Sequence, residues 1–328
     1  MAQYRHNLPQ LSNDLFLTDG GLETTLLFRE GLDLPEFAAF VLLKTQSGYE
    51  ALKNYFRTYA RIACNYQTGL ILESATWRAN PDWGSKLGYS QPELAAMNRQ
   101  AIALLHDIRW ESETEQSRMV ISGCLGPRGN GYIPANAMNA DEAADYHRPQ
   151  IEVFCDANAD LVTAITMNYV EEAIGIAKEA QALNIPVVIS FTVETDGHLP
   201  TGQPLQDAIA QVDAVTNRAP AYYMINCAHP THFASTLVAG EPWLERIRGL
   251  RANASKKSHA ELNEAETLDD GNPAELGRQY RELKSRLRNL NVLGGCCGTD
   301  DRHVEAICQA CLPVFWAHLS PQTLMQSV

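Results

Sequence analysis

The chain contains no stretch of about 18 consecutive apolar residues, so no helical membrane span is expected. Residues Met1 to Leu15 are polar and carry no apolar segment of the signal-peptide kind, so no export is expected either. Positive charge is scarce: 26 Lys and Arg against 39 Asp and Glu leave a formal net charge of −13. That excludes the basic stripe a nucleic-acid-binding surface needs. No G-x-G-x-x-G follows the first apolar run, which removes the usual signature of a dinucleotide-binding sheet. Repeats, low-complexity tracts and linkers that would divide the chain are also missing. What remains is an ordinary globular composition, 45% hydrophobic, with eight cysteines in 328 residues. In a chain that stays in the cytoplasm these are expected to be reduced thiols, the state metal binding requires.

Three of the eight stand out. Cys296-Cys297 lies within Gly294-Gly295-Cys296-Cys297-Gly298, and Cys227 follows Asn226 at the end of the apolar run Ala221-Tyr222-Tyr223-Met224-Ile225. Adjacent cysteines pack poorly and are awkward to join in a disulfide, but their thiolates can share one soft metal ion. If both apolar runs are parallel strands, three sulfurs converge at one sheet edge. Three sulfur ligands with a fourth position open describe a Zn2+ site that activates a bound thiol. The flanking glycines allow the sharp turn and close backbone approach such a site needs. Cys64, Cys124, Cys155, Cys308 and Cys311 are expected to act as small hydrophobes. The Cys308/Cys311 pair falls in a helical stretch, His303 to Val314, without a second pair to complete a zinc ribbon. Cys124 ends an apolar run and approaches the same rim.

Short apolar runs alternate with longer amphipathic stretches throughout. Eight strands are expected: Leu15–Thr18, Gly69–Glu73, Met119–Gly123, Leu161–Ile165, Pro186–Thr192, Ala221–Asn226, Ile247–Arg251 and Val292–Gly295. Leu52, Tyr55, Phe56, Tyr59, Ile62 and Ala63 share one helical face. Further helices are expected from about Ala140 to Ala157, started by Asn139 or Asp141, and from Glu171 to Leu183. Eight β–α units imply parallel pairing through right-handed crossovers and a closed (β/α)8 TIM barrel forming a single domain over residues 1–328. The polar stretch Ser255 to Pro273 reads as a loop or lid. Barrel chemistry sits at the C-terminal strand ends, here Asp19, Glu73, Cys124, Thr166, Thr192 with Glu194, Cys227, Asn253 and Cys296 with Cys297. Strands six and eight feed the same side-chain layer, so the fold and the cysteine spacing point to one place.

At these residues the chain resembles the homocysteine S-methyltransferases, which include the betaine–homocysteine and S-methylmethionine–homocysteine enzymes. The matching segments are Thr18-Asp19-Gly20-Gly21-Leu22-Glu23-Thr24, Gly126-Pro127, Asn226-Cys227 and Gly294-Gly295-Cys296-Cys297-Gly298-Thr299, in the family's order across nearly the whole chain. The resemblance implies a zinc-dependent barrel that methylates the sulfur of homocysteine, giving methionine and so serving methionine biosynthesis. It implies that Cys227, Cys296 and Cys297 are the zinc ligands and that Asp19 contacts the homocysteine amino group. Asn253 resembles the family asparagine after the seventh strand. Three segments depart. Ile165-Thr166 stands where the family carries Glu-Thr, Glu73-Ser74-Ala75-Thr76 replaces Glu-Thr-Asn-Thr, and Gly126-Pro127-Arg128-Gly129 replaces Gly-Pro-Tyr-Gly. One amino-group partner is thus missing, and Glu73 or Glu194 is expected to supply it. Thr166 completes the expected substrate contacts.

A free alkyl thiol, with a pKa near 8.5, is mostly protonated at neutral pH, and zinc removes that need for a base. The expected partners are therefore small molecules: homocysteine or a similar thiol, and a cationic methyl donor such as S-methylmethionine or S-adenosylmethionine. Trp77, Trp83, Tyr132, Tyr169 and Phe191 are candidate faces for that cation, and His229 and His232 are candidate partners for the metal. The alternatives are methylation of a different small thiol, a zinc hydrolase, and a non-catalytic zinc-binding barrel. A homo-oligomer is compatible with all of them.

Overall fold

The computed structural model describes residues 2–134, 137–265 and 267–316; the ends of the expected 1–328 domain lie outside them. Eight parallel strands close a barrel in chain order: β1 Phe16–Leu17, β2 Gly69–Glu73, β3 Met119–Leu125, β4 Leu161–Met167, β5 Val187–Thr192, β6 Tyr222–Asn226, β7 Ile247–Ala252 and β8 Val292–Gly295. β1 pairs with both β2 and β8, which seals it. The fold is the expected (β/α)8 TIM barrel, with strand ends shifted by one or two residues.

Two cores hold it. Between strands and helices lies the larger one, to which the helix Gln46–Tyr66 contributes Leu52, Tyr55, Phe56, Tyr59, Ile62 and Ala63. Thr45 caps its start by accepting from the Gly48 amide, and Gln67 ends it in the left-handed conformation. The helix Ala140–Asp156 begins at Asn139 in a capping box with Glu142. The second core fills the barrel itself: Phe16, Ile71, Val120, Leu161, Val188, Tyr222, Met224 and Val292, closed below by Leu8.

Strand period is two, so the next inward positions are Glu73, Ser122, Thr163, Ser190, Asn226 and Arg251. All are buried. The interior thus passes from an apolar floor to a polar layer directly beneath the C-terminal ends. Buried polar groups persist only when paired, and here they are: Ser122 with Thr163 at 2.7 Å, Ser190 with Asn226 at 2.6 Å, and Arg251 with Glu73.

The loop after β8 is tied to the helix Asp301–Trp316 through Asp300. Its carboxylate, 1% exposed, meets Arg29 at 2.5 Å, Arg302 at 3.0 Å and His303 at 2.9 Å. Burial alone would raise this carboxyl, but the bonds from His303 and Arg302 and the nearby charge of Arg29 hold it well below the usual range. A depressed carboxyl adds stability above its unfolded pKa and loses it as pH falls through the folded one. Asp300→Asn is therefore expected to cost about 3 kcal/mol at pH 7. The cost should vanish in strong acid, checked by denaturant unfolding across pH.

Candidate functional site

Two strand ends bring the three cysteines together. β6 delivers Cys227 and β8 delivers Cys296 and Cys297, and their sulfurs all lie within 4.8 Å of one another. Cys227 and Cys296 stand in disulfide-range contact with a Cα separation of 5.4 Å, and Cys227 Sγ is 3.9 Å from Cys297 Sγ. Sulfurs about 2.3 Å from a tetrahedral zinc are themselves roughly 3.8 Å apart. The set therefore fits one such ion once the Cys227–Cys296 contact opens. Burial pushes the Cys297 thiol up to about 11, so without a cation it stays protonated at neutral pH.

The backbone around the cysteines is held in conformations it would not choose alone. Cys227 has φ of 54° and Thr166 has φ of 65°, each costing on the order of 1–3 kcal/mol. Asn226 holds Thr166 in place: its Oδ1 accepts from the Thr166 amide at 3.0 Å and its Nδ2 donates to Thr166 Oγ1 at 2.9 Å. The Cys227 carbonyl accepts from Asn253 Nδ2 at 2.9 Å and bonds His259 Nε2. Cys296 is anchored by its amide to the Ala252 carbonyl at 2.8 Å, and the Cys297 carbonyl accepts from the Ala254 amide at 3.0 Å. Gly298, at φ 79°, turns the chain away. A Cβ on Gly21 would sit 2.6 Å from the Cys296 carbonyl oxygen, which requires glycine there.

The cysteines open onto a cavity of about 450 Å³. Of the residues expected from sequence, Asp19, Glu73, Thr166, Cys227, Cys296 and Cys297 line it, and so does Cys124. Glu194 and Asn253 do not. Glu194 lies 3.2 Å from His259 Nδ1, and Asn253 is turned onto the Cys227 carbonyl. Both reach the cavity only through a neighbour. His229 and His232 bond Thr231 and the Lys256 carbonyl and stay off the wall. The Ser255–Pro273 segment carries a short helix, His259–Asn263, and roofs the cavity with Ser255, His259, Leu262 and Leu268.

The structure adds Arg251, which sequence reasoning took only as the last residue of a strand. Its Nη2 donates to Asp19 Oδ1 at 2.6 Å, its Nη1 pairs with Glu73, and its Nε donates to the Gly295 carbonyl at 3.0 Å. Tyr55 donates to the other Asp19 oxygen at 3.0 Å. Both carboxylates offered as ammonium partners are therefore already engaged by a buried guanidinium. Burial raises both carboxyls, and Arg251 draws them back. A charged residue two positions beyond Gly249, in a strand that is otherwise apolar inward, was the available signal.

The aromatic faces are also partly taken. The Arg78 guanidinium lies 4.0 Å from the Trp83 ring centre and 4.9 Å from that of Trp77. Tyr132 stacks on His259 at 4.0 Å and donates its hydroxyl to Cys227 Sγ at 3.5 Å. Phe191 stacks on Tyr223, and the Tyr169 hydroxyl accepts from the Met138 amide. Of the five, Trp77 and Tyr132 reach the cavity.

A family model described as homocysteine S-methyltransferase matches residues 16–311. Homocysteine S-methyltransferase YbgG of Bacillus subtilis is 23% identical over 314 residues, 89% of this chain and 93% of its own. Homocysteine S-methyltransferase of Escherichia coli is 27% identical over 210 residues, 60% of this chain and 64% of its own. Among solved structures, the oxidized form of the homocysteine methyltransferase MmuM from Escherichia coli aligns with a TM-score of 0.72 at 20% identity, covering 92% of this chain and 97% of that one. Its metallated form aligns at 0.70 and 19% identity, over 92% and 98%. That likeness speaks to the barrel, and the model match to the lineage: the chain belongs to the homocysteine S-methyltransferase family and is an enzyme of that type.

Proposed function

We propose that this enzyme transfers a methyl group from a sulfonium donor, S-methylmethionine or S-adenosylmethionine, to the thiol of homocysteine, with zinc held by Cys227, Cys296 and Cys297. The observation that carries the reading is the convergence of three sulfurs on the wall of one cavity. Bound there, zinc would supply the Lewis acidity that deprotonates the acceptor thiol without a protein base. The remaining work belongs to the chain. Tyr132 tempers the negative charge of Cys227 through its hydroxyl, and Asn253 and His259 fix the Cys227 backbone, with Glu194 steadying His259. Thr166, Asp19 and Glu73 shape the wall on which the acceptor lies, the last two through Arg251. Roofing by the Ser255–Pro273 segment excludes water, so donor and acceptor meet in line at van der Waals contact. As the acceptor sulfur–methyl bond forms, the sulfonium carbon–sulfur bond breaks. The donor leaves as a neutral thioether and the thiol proton passes to solvent.

The reading needs the three cysteines reduced, and so places the enzyme's work in a reducing compartment, the cytoplasm. Among the described residues no helix is long and apolar enough to cross a membrane. Reduced, zinc-loaded protein incubated with homocysteine and a panel of methylated sulfonium and ammonium donors should form methionine with at least one sulfonium. Methionine from none of the donors, with zinc in place, would overturn the reading.

A further inference from the structure

With Asp19 and Glu73 paired to Arg251 and Ile165 on the wall beside Thr166, the strand ends leave little to receive an amino acid's ammonium group. The cavity holds another pair of opposite charges. Glu23 opens the helix Leu22–Phe28 after β1, and its carboxylate faces the cavity without bonding any other described residue. Arg78, in the loop after β2, also lines the cavity. One of its Nη groups donates to the Glu36 carbonyl, its plane is held by Trp77 and Trp83, and its buried Nε has no partner. Glu23 and Arg78 each act electrostatically on the other, yet form no ion pair within 4.0 Å. Two unlike charges on the wall of the cavity that holds the cysteines, not paired with each other, match the two ends of an α-amino acid.

We propose that Glu23 and Arg78 form a zwitterion clamp that receives the α-amino acid end of the acceptor thiol, ammonium on Glu23 and carboxylate on Arg78, while its sulfur reaches the three cysteines. The clamp deepens the methyltransferase reading and names its acceptor as an α-amino acid. It explains how a member of this fold keeps such an acceptor after Arg251 has taken up the strand-end carboxylates. Burial raises the Glu23 carboxyl to about 7, with Asp19, Arg251 and Arg78 the charged groups around it. A bound ammonium relieves that penalty.

The test uses binding as well as turnover. Methionine, which has both charged ends and no thiol, is titrated calorimetrically into wild-type, Glu23→Gln and Arg78→Gln proteins. Each substitution should weaken its Kd about 10- to 100-fold, the cost of losing a hydrogen bond to a charged group. Arg78→Lys, which keeps the charge but not the planar stack, should recover part of the loss and controls for misfolding in the Gln variant. In turnover, wild-type protein should prefer homocysteine over 4-mercaptobutanoate and over 3-mercaptopropylamine. Glu23→Gln should erase the first preference and Arg78→Gln the second, through the acceptor KM and with zinc content unchanged. Unaltered methionine binding in both variants overturns the clamp, and so does a KM change confined to the methyl donor. Clamp-dependent methionine binding with no methyl transfer to any thiol would instead sink the methyltransferase reading and leave the clamp standing.

Discussion

Cys297→Ser is expected to lose the zinc proposed for the three-cysteine site and at least about a hundredfold of methyl transfer while the barrel stays folded. A hydroxyl is a poor ligand for a soft site, and even outer partners of a metal change affinity 10- to 100-fold. Cys297 is half-buried on the cavity wall and its removal opens no core void, so circular dichroism and the melting temperature should move little. Zinc per chain, measured by mass spectrometry on reduced protein, should fall from one to near zero at micromolar free metal. Cys308→Ala is the control: that thiol is buried between helix and barrel and pushed by burial up to about 12, and the variant should keep its zinc. Full zinc occupancy in Cys297→Ser would remove it from the ligand set. Oxidation should mimic the loss, because a disulfide between Cys227 and Cys296, already in contact, takes two of the three donors.

The second large effect is expected at Arg251. Arg251→Met leaves Asp19 and Glu73 buried without their cation, and breaking a buried pair typically costs about 3–5 kcal/mol. The sign of the pH dependence follows from the carboxyls that remain. Burial already raises both, and without the guanidinium they rise further, so their penalty is absent at low pH and grows as pH rises through the folded pKa values. Urea unfolding at pH 5 and pH 8 should show the variant far closer to wild type at the lower pH. Equal destabilisation at both would mean that Arg251 acts by packing its stem and not by charge. Arg251→Lys should fall between, since an ammonium cannot serve Asp19, Glu73 and the Gly295 carbonyl together as the guanidinium fork does.

The (β/α)8 fold and the meeting of Cys227, Cys296 and Cys297 were legible in the amino-acid order, because both rest on local rules. Alternating apolar runs and 3.6-residue periodicity declare strands and helices wherever they stand, and eight such units have one common closure. Residues at strand ends are then brought to one rim regardless of how far apart they lie in the chain. The face Leu52, Tyr55, Phe56, Tyr59, Ile62 and Ala63 buries as its spacing requires, and Asn139 caps the helix it precedes. The charges inside the cavity were not legible in that way. Which carboxylate is free depends on which guanidinium reaches it, and a long side chain can cross the barrel in any of several rotamers. Arg251 lies 232 positions from Asp19 and 178 from Glu73. No spacing rule connects them. Glu194 and Asn253 show the same limit: their place at strand ends is a matter of sequence, but their turn toward His259 and the Cys227 carbonyl is decided by what packs around them. The sequence by itself determined the barrel and the sulfur cluster, since backbone periodicity is local. Only the tertiary structure decided how the charges pair, since electrostatic partners are chosen by distance in space.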